Sequence, residues 1–306
     1  MKIIKRIIPY IILIALTVFA YYKRDTIYNI YKTFIVEMES KKITSPTKNE
    51  YYRNYDFRFV QNVEDYSPEN KQDLLNVFYT IINSGVTEYT FYCPVDYKEC
   101  TKEIDNIASN QVLLSDINNY VHPYNSFKHI EIEYDTLNKV TVTLQRNYSK
   151  DEIDEINNKV NEIYNKLYNA SASDYNNIKA FHDYIINNTK YDSNRTDNDI
   201  INYKSDTAYG PLIEGYALCG GYSDAMQLFL EKLNIESYKV MSEKHVWNAV
   251  FYNGEWLHLD LTWDDPVTNT GQQLLIHDYF LINTNKLESL KIKQHNYDKN
   301  VYKELQ

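Results

Sequence analysis

The chain has 306 residues, 43% of them hydrophobic, and a net charge of −10. That composition supports a sizeable core in one or two domains and excludes a disordered chain. The first 24 residues carry five bases and no acid, leaving 27 bases against 42 acids elsewhere. An acidic body with no basic stripe repels phosphate backbones, so no nucleic-acid partner is expected.

Ile7 to Tyr22 runs without a charge, between Lys5–Arg6 and Lys23–Arg24. The run is slightly short for a hydrocarbon core, but flanking Tyr, Lys and Arg side chains reach the interface. It predicts a single-pass membrane anchor over 1–24, with the N-terminus cytoplasmic and the body outside. A cleaved signal peptide is the alternative: Val18 and Ala20 suit a cut site, while Phe19 to Tyr22 is bulky for one. Either reading exports the body.

Ile27, Ile30, Tyr31, Phe34 and Met38 recur at helical spacing and could extend the anchor as a stalk. The polar, turn-rich stretch Glu39 to Glu50 completes a linker over 25–50. Residues 51–148 then read as a small α+β domain. A helix opened by Ser67–Pro68 carries Leu74, Leu75, Phe78, Ile81 and Ile82 inward. "VTEYTFY" alternates like a strand, Thr101 to Tyr120 looks helical, and "IEIEY" and "VTVTLQ" flank a turn at Leu137–Lys139.

The remainder, 149–306, opens on a capping box, Ser149 with Glu152. Ile153, Ile156, Val160, Ile163 and Leu167 form the inward stripe of its helix. A second helix from Asp174 turns Tyr175, Ile178, Phe181 and Ile185 inward. His182 on that helix reads as a buried, hydrogen-bonded histidine. Of the three cysteines, Cys93 and Cys100 are close in sequence and would form a disulfide in an oxidising compartment, or remain ordinary thiols. Cys219 is left over.

Cys219 begins a helix whose apolar face is Tyr222, Ala225, Met226, Phe229, Leu230 and Leu233. A thiol in the first turn meets the positive end of the helix dipole and free N–H groups, which favour the thiolate. Gly215, Gly220 and Gly221 surround it, and a neighbouring glycine would let a substrate carbonyl approach the backbone. A buried structural cysteine is the competing reading.

A nucleophilic thiol needs a base, and the base an orienting acid. Asn253–Gly254 is a strong hairpin signal, flanked by alternating apolar runs. A two-residue loop pairs Tyr252 with Glu255 and, further down, Trp247 with Asp260. His245, Trp247, His258, Asp260 and Thr262 then share one face, with His245 and Asp260 diagonal neighbours. His258 is a rival base, but it lies further from the open end of the hairpin.

"AYGPLIEGYALCGGYSDAMQLFL", "HVWNAVFYNGEWLHLDLTWDDP" and "HDYFLIN" together resemble the transglutaminase-like superfamily, whose core is papain-like. "FHDYIINNTKYD" resembles the helix that precedes the cysteine in many bacterial members. The resemblance covers roughly residues 174–283. It implies an α+β fold with a nucleophile-bearing helix packed on an antiparallel sheet. It further implies Cys219 as nucleophile, His245 as base and acid, and Asp260 as orienter, without cofactor. The Cys219 N–H would be one oxyanion donor; Tyr209 is a candidate for the second, against a reading as core tyrosine. Trp247, Asn248, Thr262 and Trp263 would support the site. Asp264 and Asp265 suggest calcium less well than a turn closed by Pro266, and no zinc-ligand spacing occurs. The expected activity is acyl transfer on a protein or peptide amide at the cell surface. Water as acceptor makes a peptidase or amidase, an amine makes a crosslinking transglutaminase, and a binding scaffold is the non-enzymatic alternative.

Overall fold

The computed structural model describes residues 2–267 and 274–306, with side chains from residue 7 onward. Helices α1 (Lys2–Tyr22) and α2 (Arg24–Ser40) meet at Lys23 with a bend of 71°. No single described helix is long and apolar enough to cross a membrane; these two pass that test only together, as a bent pair. The apolar residues of α1 from Ile7 to Tyr22 are exposed. The stripe Ile27, Ile30, Tyr31, Phe34 and Met38 on α2 is exposed as well. Yet α2 is not a free stalk, because Val36 is buried and Lys32 donates to Asn138 at 2.7 Å.

Helix α3 (Lys71–Ser84) starts later than Ser67–Pro68 suggests. Asn70 caps it, accepting from the N–H groups of Gln72 and Asp73, and Gly85 closes it at φ +82°. That left-handed backbone favours glycine. Strand β1 (Glu88–Tyr92) follows, then α4 (Cys100–Ser109) and α5 (Gln111–Asn119), separated at Asn110, whose side chain caps α5. Strands β2 (Phe127–Tyr134) and β3 (Lys139–Arg146) complete a three-stranded antiparallel sheet in the order β1-β3-β2. Cys93 and Cys100 are joined as a disulfide.

Helix α6 (Lys150–Leu167) has the full capping box at Ser149 and Glu152 and buries Ile156, Val160 and Ile163. Helix α7 (Asp174–Asn188) buries Ile178, Phe181 and Ile185, but Tyr175 lies outside and only touches the edge of Phe280. Strand β4 (Lys190–Tyr191) and helix α8 (Ser193–Asn198) lead through a π-turn at 210–214 to β5 (Tyr216–Ala217), which pairs in parallel with β4. Helix α9 (Cys219–Lys232) packs on the antiparallel sheet β6 (Ser237–Met241), β7 (Val246–Tyr252) and β8 (Glu255–Leu259). A one-turn helix, α10 (Leu261–Asp264), and α11 (Thr284–Ser289) follow.

Two apolar clusters organise the molecule. One joins α3 and the first sheet to Tyr238, Val240 and Trp247 of the second sheet and to Tyr302 and Leu305. The other joins α6 and α7 to the apolar face of α9, including Tyr222, Ala225, Met226, Phe229 and Leu230. Each large apolar side chain buried this way contributes about 1.5–3 kcal/mol by leaving water. Helix α9 packs against both α7 and strand β7.

Candidate active site

Cys219 is the first residue of α9, after an extended Leu218, and is half-buried and free of any disulfide. The glycines after it have a different reason from the one the sequence suggested. A side chain on Gly220 would meet the Asp206 carbonyl oxygen at 2.7 Å, and one on Gly221 would meet the Ser205 carbonyl oxygen at 2.3 Å. The backbone of 205–207 lies directly against the start of the helix, so both positions must lack a Cβ.

The hairpin has the register expected from Asn253–Gly254: Tyr252 opposes Glu255, Ala249 opposes His258 and Asn248 opposes Leu259. The ladder stops there. Asp260 is not a strand residue but the N-cap of α10, its Oδ1 accepting from the Trp263 N–H at 3.2 Å. Thr262 accordingly sits on the helix and leaves the shared face. The turn into α10 nonetheless aims Oδ2 of Asp260 at His245 Nε2, 2.6 Å away, and both side chains are buried. That leaves Nδ1 uncommitted to a carboxylate, and Cys219 lies near enough to act on the ring. Helix and sheet are stitched together beside this contact. The Ser223 hydroxyl lies 2.8 Å from the Cys219 carbonyl and 3.2 Å from that of Val246, and the Asn248 amide donates to the Ser223 carbonyl at 3.0 Å.

Burial alone would lower the pKa of His245; the adjacent Asp260 carboxylate and the contact with Cys219 outweigh it and raise it to about 10. Burial pushes the Asp260 carboxyl up, but His245 and His295 hold it well below the usual carboxylate range. This is an ion pair in a region that water scarcely reaches, where charge interactions are strong.

His258 makes no such pair. It accepts from the Trp247 indole N–H at 2.9 Å through Nδ1 and meets the Thr284 hydroxyl at 3.1 Å through Nε2. Burial and the neighbouring His295 lower its pKa to about 3, so it stays neutral. Trp263 packs against Tyr279 and His295 and edges toward His245. Tyr209 is not placed as an oxyanion donor, because its hydroxyl donates to Glu155 on α6 at 2.8 Å.

His295 is a member of the site that no sequence pattern revealed. Its Nε2 lies 2.8 Å from the same Asp260 Oδ2 that holds His245, and its Nδ1 is buried with no partner among the described residues. Asp264 and Asp265 are structural: Asp264 accepts from the Tyr279 N–H at 2.9 Å and meets His182 at 3.1 Å, and Asp265 accepts from the Tyr222 hydroxyl. His182 is fully buried, as expected, between Asp264 and Asp183.

Two groups of ligand-type atoms lie within 4.8 Å of one another, His245–Asp260–His295 and His182–Asp183–His277. Hydrogen bonds account for both. In the first, two ring nitrogens share one carboxylate oxygen. In the second, His182 and His277 share Oδ1 of Asp183, and Lys179 holds its Oδ2 at 2.5 Å. That ammonium disfavours a cation in the same place.

No family model matches the chain, and no curated protein matches it. Among solved structures, one titled a TGase is 18% identical with a TM-score of 0.32, over 45% of this chain and 44% of that one. Another, from Cytophaga hutchinsonii and proposed to be a cysteine protease, is 13% identical with a TM-score of 0.28, over 49% of this chain and 65% of that one. These overlaps are partial and loose, and the functional reading rests on the residues of the site.

Proposed function

We propose that the protein is a thiol enzyme that transfers acyl groups from amide bonds, with Cys219 as nucleophile, His245 as base and acid, and Asp260 as orienter. What supports this reading most is the buried His245–Asp260 pair, 2.6 Å apart, together with a free, half-buried Cys219 at the start of α9 that acts on the same ring. The thiol proton passes to His245 before the attack, and the sulfur then adds to the carbonyl carbon as the thiolate. The C–N bond breaks as the imidazolium returns that proton to the leaving amine, and a thioester remains. Water then attacks it, His245 taking the water's proton, and the carboxylic acid and the free thiol are released. A primary amine in place of water would give a crosslink by the same steps.

Hydrolysis is the favoured outcome, since Cys219 is half-exposed and water can reach the thioester. The exposed apolar residues of α1 are best used by a lipid bilayer, which would anchor the chain and place the body outside the cell. The buried Cys93–Cys100 disulfide suits that oxidising side.

The test pairs labelling with turnover. Iodoacetamide should modify Cys219 selectively, and His245→Ala should slow that reaction. Glutamine peptides offered with and without a fluorescent primary amine should be cleaved or deamidated; stable amine incorporation would establish transamidation instead. Equal labelling of wild type and His245→Ala would sink the reading.

A further inference from the structure

The site as described has one donor for a developing oxyanion, the N–H of Cys219. Tetrahedral intermediates of acyl transfer are typically held by more than one. Tyr191 occupies a position suited to another. It ends β4, directly opposite Ala217 of β5, two residues before the nucleophile. The backbone is fixed on both sides of it: the Lys190 N–H donates to the Gly215 carbonyl and the Asp192 N–H to the Ala217 carbonyl, each at 2.9 Å. Asp192 is anchored in turn by the Ser205 hydroxyl at 2.8 Å and by capping α8. The ring is half-buried against the apolar cluster under α9.

Its hydroxyl differs from those of several other tyrosines in this half of the chain. Those of Tyr148, Tyr209 and Tyr222 donate to Asp224, Glu155 and Asp265. The Tyr191 hydroxyl makes no hydrogen bond with any described residue, and Cys219 is the ionisable group that acts on it most strongly. Burial first, and then the Cys219 charge, push its pKa up to about 12, so it remains a protonated donor across the working range.

We propose that Tyr191 is a catalytic residue of this site, its O–H donating to the substrate carbonyl oxygen as that oxygen becomes an anion, beside the N–H of Cys219. The proposal rests on the acyl-transfer reading. As sulfur bonds to carbon, the C=O π pair moves onto oxygen and is held by the two donors; when the pair returns, the C–N bond breaks. Tyr191 keeps its proton throughout.

Two reactions of the full-length protein separate this role from others. Acylation by p-nitrophenyl acetate passes through an oxyanion. Alkylation by iodoacetamide displaces iodide at a saturated carbon and forms none. Tyr191→Phe should slow acylation by about 10²-fold and leave alkylation within about twofold. Since the lost oxygen has no partner among the described residues, the melting temperature should hold. Acylation within about threefold of wild type would overturn the proposal. So would alkylation falling in step with acylation, because the hydroxyl would then serve the thiol or the fold. His245→Ala keeps the two failures apart: if it leaves both rates untouched, or if wild type takes no acetyl group, the acyl-transfer reading itself is wrong.

Discussion

Two of the buried histidines, His245 and His182, each take an acid from one short helix. Asp260 caps α10 and meets His245; Asp264 ends the same helix and meets His182. Both rings are almost inaccessible to water, and for both the effect of burial is outweighed by neighbouring carboxylates, which raise the pKa. They differ in what remains free. His182 has both ring nitrogens on carboxylates, Nδ1 to Asp183 at 2.9 Å and Nε2 to Asp264 at 3.1 Å. His245 has one nitrogen on Asp260 and the other on no carboxylate among the described residues, with Cys219 near enough to act on the ring. Burial and ion pairing make a strong bridge in either place. General acid–base chemistry also needs a ring nitrogen left over and a reacting atom opposite it.

The sharpest way to break that distinction is Asp260→Asn. It leaves His245 without its counter-charge and should reduce acyl transfer by about 10²–10⁴-fold. The pH profile should change too. With Asp260 present, His245 holds its proton until pH rises through about 10, and in the proposed mechanism that proton goes to the leaving amine. Without it, the alkaline limb should move down toward the ordinary histidine value of about 6.5. A limb that stays in place would mean that Asp260 is only a structural bridge.

His295 gives the next largest effect. It steadies Asp260 at the same carboxylate oxygen as His245, but its own Nδ1 is buried without a described partner. Such an orphan costs about 1–3 kcal/mol, so packing alone does not account for a histidine there. His295→Phe should hold the melting temperature within a few degrees yet slow acyl transfer by about tenfold, the worth of one hydrogen bond to a charged group. His295→Gln restores an N–H and should recover most of the rate. A large loss of stability with unchanged turnover would assign His295 to packing.

What could be read from the sequence follows from how local its cause is. Asn253–Gly254 alone fixes the β7–β8 register, because a two-residue turn with positive φ at both positions permits little else. The Ser149 capping box and the apolar face of α9 are local in the same sense. The hairpin register puts Asp260 near His245 as a strand residue, whereas the strand ends one residue earlier and a helix cap aims the carboxylate. Tyr175 fits a helical stripe but falls where α7 has run past its neighbours. His295 was invisible because nothing periodic surrounds it. A bridge between Ser242 and Tyr297, with the Ser242 hydroxyl on the Gln294 carbonyl at 2.6 Å, brings it into the site across more than fifty residues. Gly220 and Gly221 are required by a distant backbone at 205–206 that no local pattern announces.

The smallest expected effect on chemistry belongs to Asp264→Asn, and it completes the comparison. Removing one partner of a buried pair destabilises by about 3–5 kcal/mol, so the melting temperature should fall clearly. Acyl transfer at a temperature where the variant is folded should stay within about threefold of wild type, since neither ring nitrogen of His182 faces a reacting group. Stability should also respond to pH with a definite sign. The groups facing His182 are Asp183 and Asp264, with His277 against its ring and Lys179 on Asp183. Its folded pKa is raised above that of the unfolded chain. The stabilisation is therefore fully present below about pH 6.5 and is lost as pH rises through the raised folded value. The gap in melting temperature between wild type and Asp264→Asn should be widest on the acid side of that range and narrow as pH rises. If instead turnover collapses as far as in Asp260→Asn, both histidines take part in the chemistry, and the division drawn from their free nitrogens fails.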